Sequence, residues 1–129
     1  MSDPDIHPPV TIFVVDDEPL LLDLAKTILV PLGYDVRTFS DPKKAVAEFP
    51  SVRPALVVTD YAMNSITGLD VMRECRRIDP RQKIILLSGT VDASIFANES
   101  VKPDLFLAKP YQVREFVAVV KKLTAVEKK

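Results

Sequence analysis

Four short apolar runs, and a fifth strand candidate of mixed composition, break off at charged or hydroxyl residues, and each is followed by a segment with helical spacing. Val10–Val15 runs into Asp16-Asp17-Glu18, Asp35–Phe39 into Ser40-Asp41, Ala55–Thr59 into Asp60, Ile84–Leu87 into Ser88-Gly89, and Leu105–Ala108 into Lys109-Pro110. Apolar runs of this length bounded by turn chemistry suit strands buried on both faces. Between them, Leu21, Leu24, Ala25, Ile28, Leu29 and Leu32 repeat at helical spacing after Pro19, whose missing N–H is harmless in a first turn; Pro31 and Gly33 close that helix. Asp41-Pro42 reads as an N-cap and a first-turn proline ahead of Ala45, Val46 and Phe49. Leu69, Met72, Cys75 and Ile78 share one helical face, and Val113, Phe116, Val117, Val120 and Leu123 another. The segment Asp92–Ser100 is expected to be the weakest helix, with Ile95, Phe96 and few other anchors. Alternation of this kind predicts βαβ units: an α/β protein with a five-stranded parallel sheet and helices on both faces.

The chain has 129 residues, which is about one domain. The expected division is a loose tail over 1–9, a folded domain over 10–124 and a charged fringe over 125–129. With 47% apolar and 27% charged residues the bulk of the chain can bury a core. Seventeen basic against eighteen acidic residues leave a net charge of −1, so nothing in the charge balance favours nucleic acid. The single cysteine, Cys75, excludes an internal disulfide framework and suits a buried small hydrophobe. No apolar run approaches the roughly 18 residues of a membrane span, and the first ten residues do not resemble a signal peptide. A cytoplasmic protein is the expectation, with no membrane partner.

Open parallel sheets bind ligands at the carboxyl ends of their strands. If the sheet is parallel, Asp16, Asp17, Asp60, Ser88 and Lys109 converge on one edge. Carboxylates gathered there repel one another, which raises their pKa values or calls for a cation. With one histidine, His7, and one cysteine in the chain, zinc or iron is disfavoured, whereas oxygen ligands suit a hard ion such as Mg²⁺. A carboxylate beside a divalent ion and a lysine is also the equipment for an acyl phosphate. Asp can attack phosphorus, and the cations neutralise the transferring oxygens.

These residues, in this order and each at a strand end, resemble the receiver domain of two-component response regulators, of the chemotaxis-regulator-like single-domain kind, from Val10 to about Leu123. The resemblance implies a flavodoxin-like (βα)5 fold with strand order 2-1-3-4-5. It implies that Asp60 is the phospho-acceptor, receiving a phosphoryl group from a histidine kinase or phosphotransfer protein. Asp16, Asp17, Asp60 and the backbone carbonyl of Ala62 would bind Mg²⁺ or Mn²⁺, Ser88 and Lys109 would bind the phosphoryl group, and Ser88 and Phe106 would form the switch. A cis Lys109–Pro110 bond is implied as well. The signal would leave through the face made by the 92–100 helix, the fifth strand and the last helix, toward a downstream protein or a second copy of the chain. No direct contact with nucleic acid and no turnover of a separate substrate are expected. Three features depart from the common family pattern: Met63 is followed by Asn64 rather than proline, Ala62 offers no polar side chain, and Val101-Lys102-Pro103 precedes the fifth strand.

Other readings stand beside these. Asp16-Asp17-Glu18 also suits a solvated helix start, Ser88 a cap for the segment after it, Lys109 a surface partner of Asp104, and Phe106 simple packing. The whole could be a phosphate sink or relay intermediate that does not switch. It could also be an aspartyl-phosphate phosphatase of the haloacid dehalogenase type, although that family places Asp-x-Asp after its first strand and adds a cap. A receiver-like module without phosphorylation usually lacks one of the acids or the lysine, and all are present here. A P-loop enzyme is excluded, because none of the three glycines opens a GK[ST] loop.

Overall fold

The computed structural model describes residues 9–125; the expectations for the tail over 1–8, including His7, and for the fringe over 126–129 lie outside the described residues. The strands are β1 (Thr11–Val15), β2 (Asp35–Phe39), β3 (Leu56–Asp60), β4 (Lys83–Ser88) and β5 (Leu105–Ala108). The helices are α1 (Pro19–Leu29), α2 (Pro42–Val52), α3 (Gly68–Ile78) and α4 (Val113–Thr124). One all-parallel sheet runs in the order β2-β1-β3-β4-β5, as the resemblance implied.

Period-two alternation divides the core. Ile12, Val14, Val58, Ile85 and Leu87 pack with Leu22, Ala25 and Leu29 of α1 and with Phe116 and Val120 of α4. Phe13, Val15, Val57, Ile84 and Leu86 pack with Ala45 and Phe49 of α2 and with Leu69, Met72 and Cys75 of α3. β3 is buried along its whole length, as a central parallel strand covered on both faces must be. Cys75 is a buried free thiol, and burial pushes its pKa up to about 12.

Local chemistry sets the ends. Pro19 opens α1, and Gly33 at φ 97° ends the 3-10 turn Val30–Leu32 that follows it, a left-handed conformation that glycine adopts without a Cβ clash. Asp41 caps α2 by accepting from the Lys43 N–H at 3.0 Å. Thr67 and Asp70 form a reciprocal capping box at the start of α3.

One expectation is corrected. The helix expected over 92–100 is a single 3-10 turn, Ala93–Phe96. The Asp92 carboxylate accepts from the Ser94 N–H at 2.9 Å, so a side chain satisfies one of the free donors at the start of the turn. Beyond it the chain offers Ala97, Asn98 and Ser100, all exposed. With no apolar stripe to bury and side chains that compete for backbone groups, a second turn has nothing to hold it. The covering layer here is thinner than five full helices would make it.

Candidate functional site

Register brings the site together. Val15 lies opposite Thr59, Asp60 opposite Leu87, and Ser88 opposite Ala108. The residues at or just beyond these ends are Asp16, Asp60, Ser88 and Lys109, all on one edge. The ladder continues past the strands: the Asp16 N–H donates to the Phe39 carbonyl at 3.0 Å and the Lys109 N–H to the Ser88 carbonyl at 2.8 Å. Both backbones are therefore fixed before their side chains reach the site.

Lys109 Nζ lies 3.0 Å from Asp60 Oδ1 and 3.5 Å from Asp16 Oδ2. Carboxylate oxygens of Asp16, Asp17 and Asp60 lie within 4.8 Å of one another. Asp16 and Asp60 are buried at 3% and 7% exposure, while Asp17 is half-exposed. Burial pushes the Asp16 carboxyl above the ordinary carboxylate range, and the Asp60 charge adds to this. The Glu18 N–H, which donates to Asp16 Oδ1 at 3.0 Å, and the Lys109 ammonium oppose the shift without cancelling it. Burial pulls the Lys109 pKa down, yet its hydrogen bond to Asp60 and the charges of Asp16 and Asp60 outweigh that, leaving it raised. Burial likewise raises the Tyr111 phenol, with Asp16 and Asp60 adding to the effect. Tyr111 also packs on Phe116, with ring centroids 5.5 Å apart.

Three carboxylates share one ammonium, so negative charge remains in excess. That donor set consists of hard oxygens at a spacing one small divalent cation can bridge, and it fits Mg²⁺ or Mn²⁺. Thiol and imidazole ligands are absent from the cluster, which makes it unsuited to zinc.

The other candidates add no carboxylate to this cluster. Ser88 is buried at the end of β4, where its Oγ accepts from the Thr90 and Val91 N–H groups at 3.1 and 3.0 Å. The capping role considered for it is thus real, and the capped element is a turn. Ala62 is exposed, two residues beyond Asp60. Phe106 is half-buried against the core cluster on the α2/α3 side. The Lys109–Pro110 bond is cis, as implied. Asp104 is not the partner of Lys109. It binds Arg76 at 2.9 Å and accepts from the Ile84 N–H at 2.8 Å, at the opposite end of the strands.

The family model for the response regulator receiver domain matches residues 12–121. The chain belongs to that family. It is 33% identical over 111 residues to the probable transcriptional regulatory protein TcrX of Mycobacterium tuberculosis, covering 84% of this chain and 47% of that protein. It is 28% identical over 116 residues to the chemotaxis protein CheY of Thermotoga maritima, covering 88% of this chain and 96% of that one. The chain thus spans about half the length of the first curated relatives it matches and nearly all of the chemotaxis protein. Among solved structures, the response regulator TrrA of Thermotoga maritima is similar at a TM-score of 0.76 and 35% identity, over 88% of this chain and 97% of that one. Receiver domains are signalling domains that pair with histidine kinases and downstream effectors. Some relatives are named DNA-binding regulators, so the absence of nucleic-acid contact remains an expectation that rests on charge. Among the described residues no helix is long and apolar enough to cross a membrane.

Proposed function

We propose that this receiver domain accepts a phosphoryl group on Asp60 from a phosphohistidine of a histidine kinase or phosphotransfer protein and converts it into a change of protein-binding surface. One observation carries the reading: the Asp60 carboxylate sits at the sheet edge, bound by Lys109 and grouped with Asp16 and Asp17. Asp16, Asp17, Asp60 and the Ala62 carbonyl would hold a divalent cation, which would neutralise the carboxylate and phosphoryl charge when bound. The similar TrrA is described in complex with Mg²⁺-BeF. In the transfer, an Asp60 oxygen forms the new O–P bond as the P–N bond to the donor imidazole breaks. The nitrogen keeps the electron pair of that bond. Lys109 and Asp60 already make an ion pair, so the ammonium needs only to follow the charge from carboxylate to phosphoryl oxygen.

The phosphoryl group adds about two negative charges and three acceptor oxygens. Ser88 and Lys109 bind that group only when it is there, and this differential contact shifts the population of the 89–104 segment and β5. The output surface is the 3-10 turn, β5 and α4, facing a downstream protein or a second copy. Mg²⁺ with acetyl phosphate is expected to label one residue; Asp60→Asn abolishes labelling and a chelator stops it. Labelling that persists in either case removes the assignment. Mg²⁺ with beryllofluoride is expected to shift amide signals from Gly89 to Val113 more than those of α2 and α3. A response confined to the site would leave a phosphate sink instead.

A further inference from the structure

We infer that Thr59 and Gly68 are positioning residues for Asp60, acting together on one atom, the Asp60 main-chain oxygen. The inference rests on the function proposed above and concerns two residues outside the ligand set.

Thr59 is fully buried, next to Val15 and Leu86 in the sheet register. Its side chain alternates with that of Asp60, so it points into the opposite, α2/α3 face, where its neighbours are apolar. A valine would fill that place with more apolar surface. The hydroxyl earns its position by one bond, donated to the Asp60 carbonyl oxygen at 3.0 Å.

Gly68 approaches the same oxygen from α3. Its φ is not left-handed, so it is not needed there for conformational freedom. Space is the reason. A Cβ at position 68 would lie 2.4 Å from the Asp60 carbonyl oxygen, 2.6 Å from Leu86 Cδ1 and 3.0 Å from Tyr61 Cα. Two of the three are backbone atoms, which cannot swing aside as a side-chain tip can. The next peptide is held as well: the Gly68 N–H donates to the Tyr61 carbonyl at 2.9 Å, and the Tyr61 N–H to the Leu87 carbonyl at 2.8 Å.

The first turn of α3 therefore seats directly on the backbone from which both the Asp60 carboxylate and the Ala62 carbonyl project. Hydrogen-bond partners of ligating side chains set divalent affinity by about 10–100-fold; Thr59 and Gly68 act one step further back, on the ligand's main chain, so the low end of that range is expected.

The test is a titration of the full chain with Mg²⁺ alone, read by amide chemical shifts, beside thermal melting of the same variants. Thr59→Val keeps the side-chain shape and is expected to melt within about 5 °C of the parent while binding Mg²⁺ about tenfold more weakly. Thr59→Ser, which restores the hydroxyl, returns to parent affinity. Gly68→Ala weakens binding at least as much as Thr59→Val. Val120→Ala, a cavity in α4 remote from the acceptor backbone, lowers the melting temperature further yet leaves Mg²⁺ affinity unchanged. Parent-like affinity in Thr59→Val, or an equal loss in Val120→Ala, overturns the inference and leaves the proposed function standing. If Gly68→Ala does not fold, the two Thr59 variants decide. A parent chain that binds no Mg²⁺ removes the proposed function and, with it, this inference.

Discussion

The two crossovers that flank β4 are built on different principles. The one before it is α3, opened by the Thr67–Asp70 capping box and buried through Leu69, Val71, Met72 and Cys75. The one after it, from Gly89 to Asp104, contains a single 3-10 turn and offers Ile95 and Val101 as half-buried contacts. Much of its attachment to α3 is polar. Arg73 pairs with Glu99, and Arg76 donates to the Lys102 carbonyl at 3.0 Å and to Asp104 at 2.9 Å. Apolar burial holds a shape against all neighbours at once, whereas an ion pair holds one distance and weakens with salt. Asp60, the proposed acceptor, thus abuts the crossover held by apolar burial, and Ser88 leads into the one held largely by polar contacts. If the proposed switch operates, that asymmetry would let one region change while the acceptor backbone stays in place.

Four measurements can break or sharpen this contrast, taken from the largest expected effect to the smallest. Burial holds the Cys75 thiol at about 12 against an ordinary 9.0. At pH 8 its thiolate is therefore about a thousandfold rarer in the folded chain, and iodoacetamide should label it only in denaturant. The sign follows from the raised pKa: the contribution to stability is full below pH 9 and is lost as pH climbs toward 12. Rapid labelling of the native chain would show that α3 opens readily. Met72→Ala, at a fully buried position, should cost about 2–5 kcal/mol in urea unfolding. A loss below that range would mean that α3 is not anchored by packing.

Arg76→Ala removes donors to the Gln82 and Lys102 carbonyls and to Asp104, and should cost about 1–3 kcal/mol. It should also speed amide exchange from Gly89 to Asp104 more than in α3, and uniform acceleration would contradict a separately held segment. Glu99→Ala, which breaks an ion pair with a half-exposed arginine, should cost about 0.2–1 kcal/mol, less in high salt. A larger, salt-independent loss would show that the segment is held by packing after all.

Much of the site was legible because strand termini are visible in a linear chain. The β-branched runs end where turn chemistry begins, and in a parallel sheet those ends share one edge, so Asp16, Asp60, Ser88 and Lys109 could be grouped without coordinates. Asp35–Phe39 and Leu105–Ala108 matched residue for residue. The helix expected over 92–100 failed because two apolar residues suggest a face but cannot supply one. The Arg76–Asp104 clamp was not legible, since its partners are 28 residues apart and no periodicity links them. Thr59 was noticed only as the end of an apolar run, because a hydroxyl that serves a neighbouring carbonyl leaves no pattern.

Local chemistry written along the chain was enough for the order of elements, the parallel sheet and the identity of the groups at its edge, because side-chain period and turn residues act over a few positions. Distances within the site, the unequal burial of Asp16 and Asp17, the single turn after β4 and the closeness of Gly68 to the Asp60 carbonyl needed the packed molecule. Each depends on atoms from separate strands and helices meeting in space, and the interaction of groups far apart in sequence is set by packing rather than by spacing.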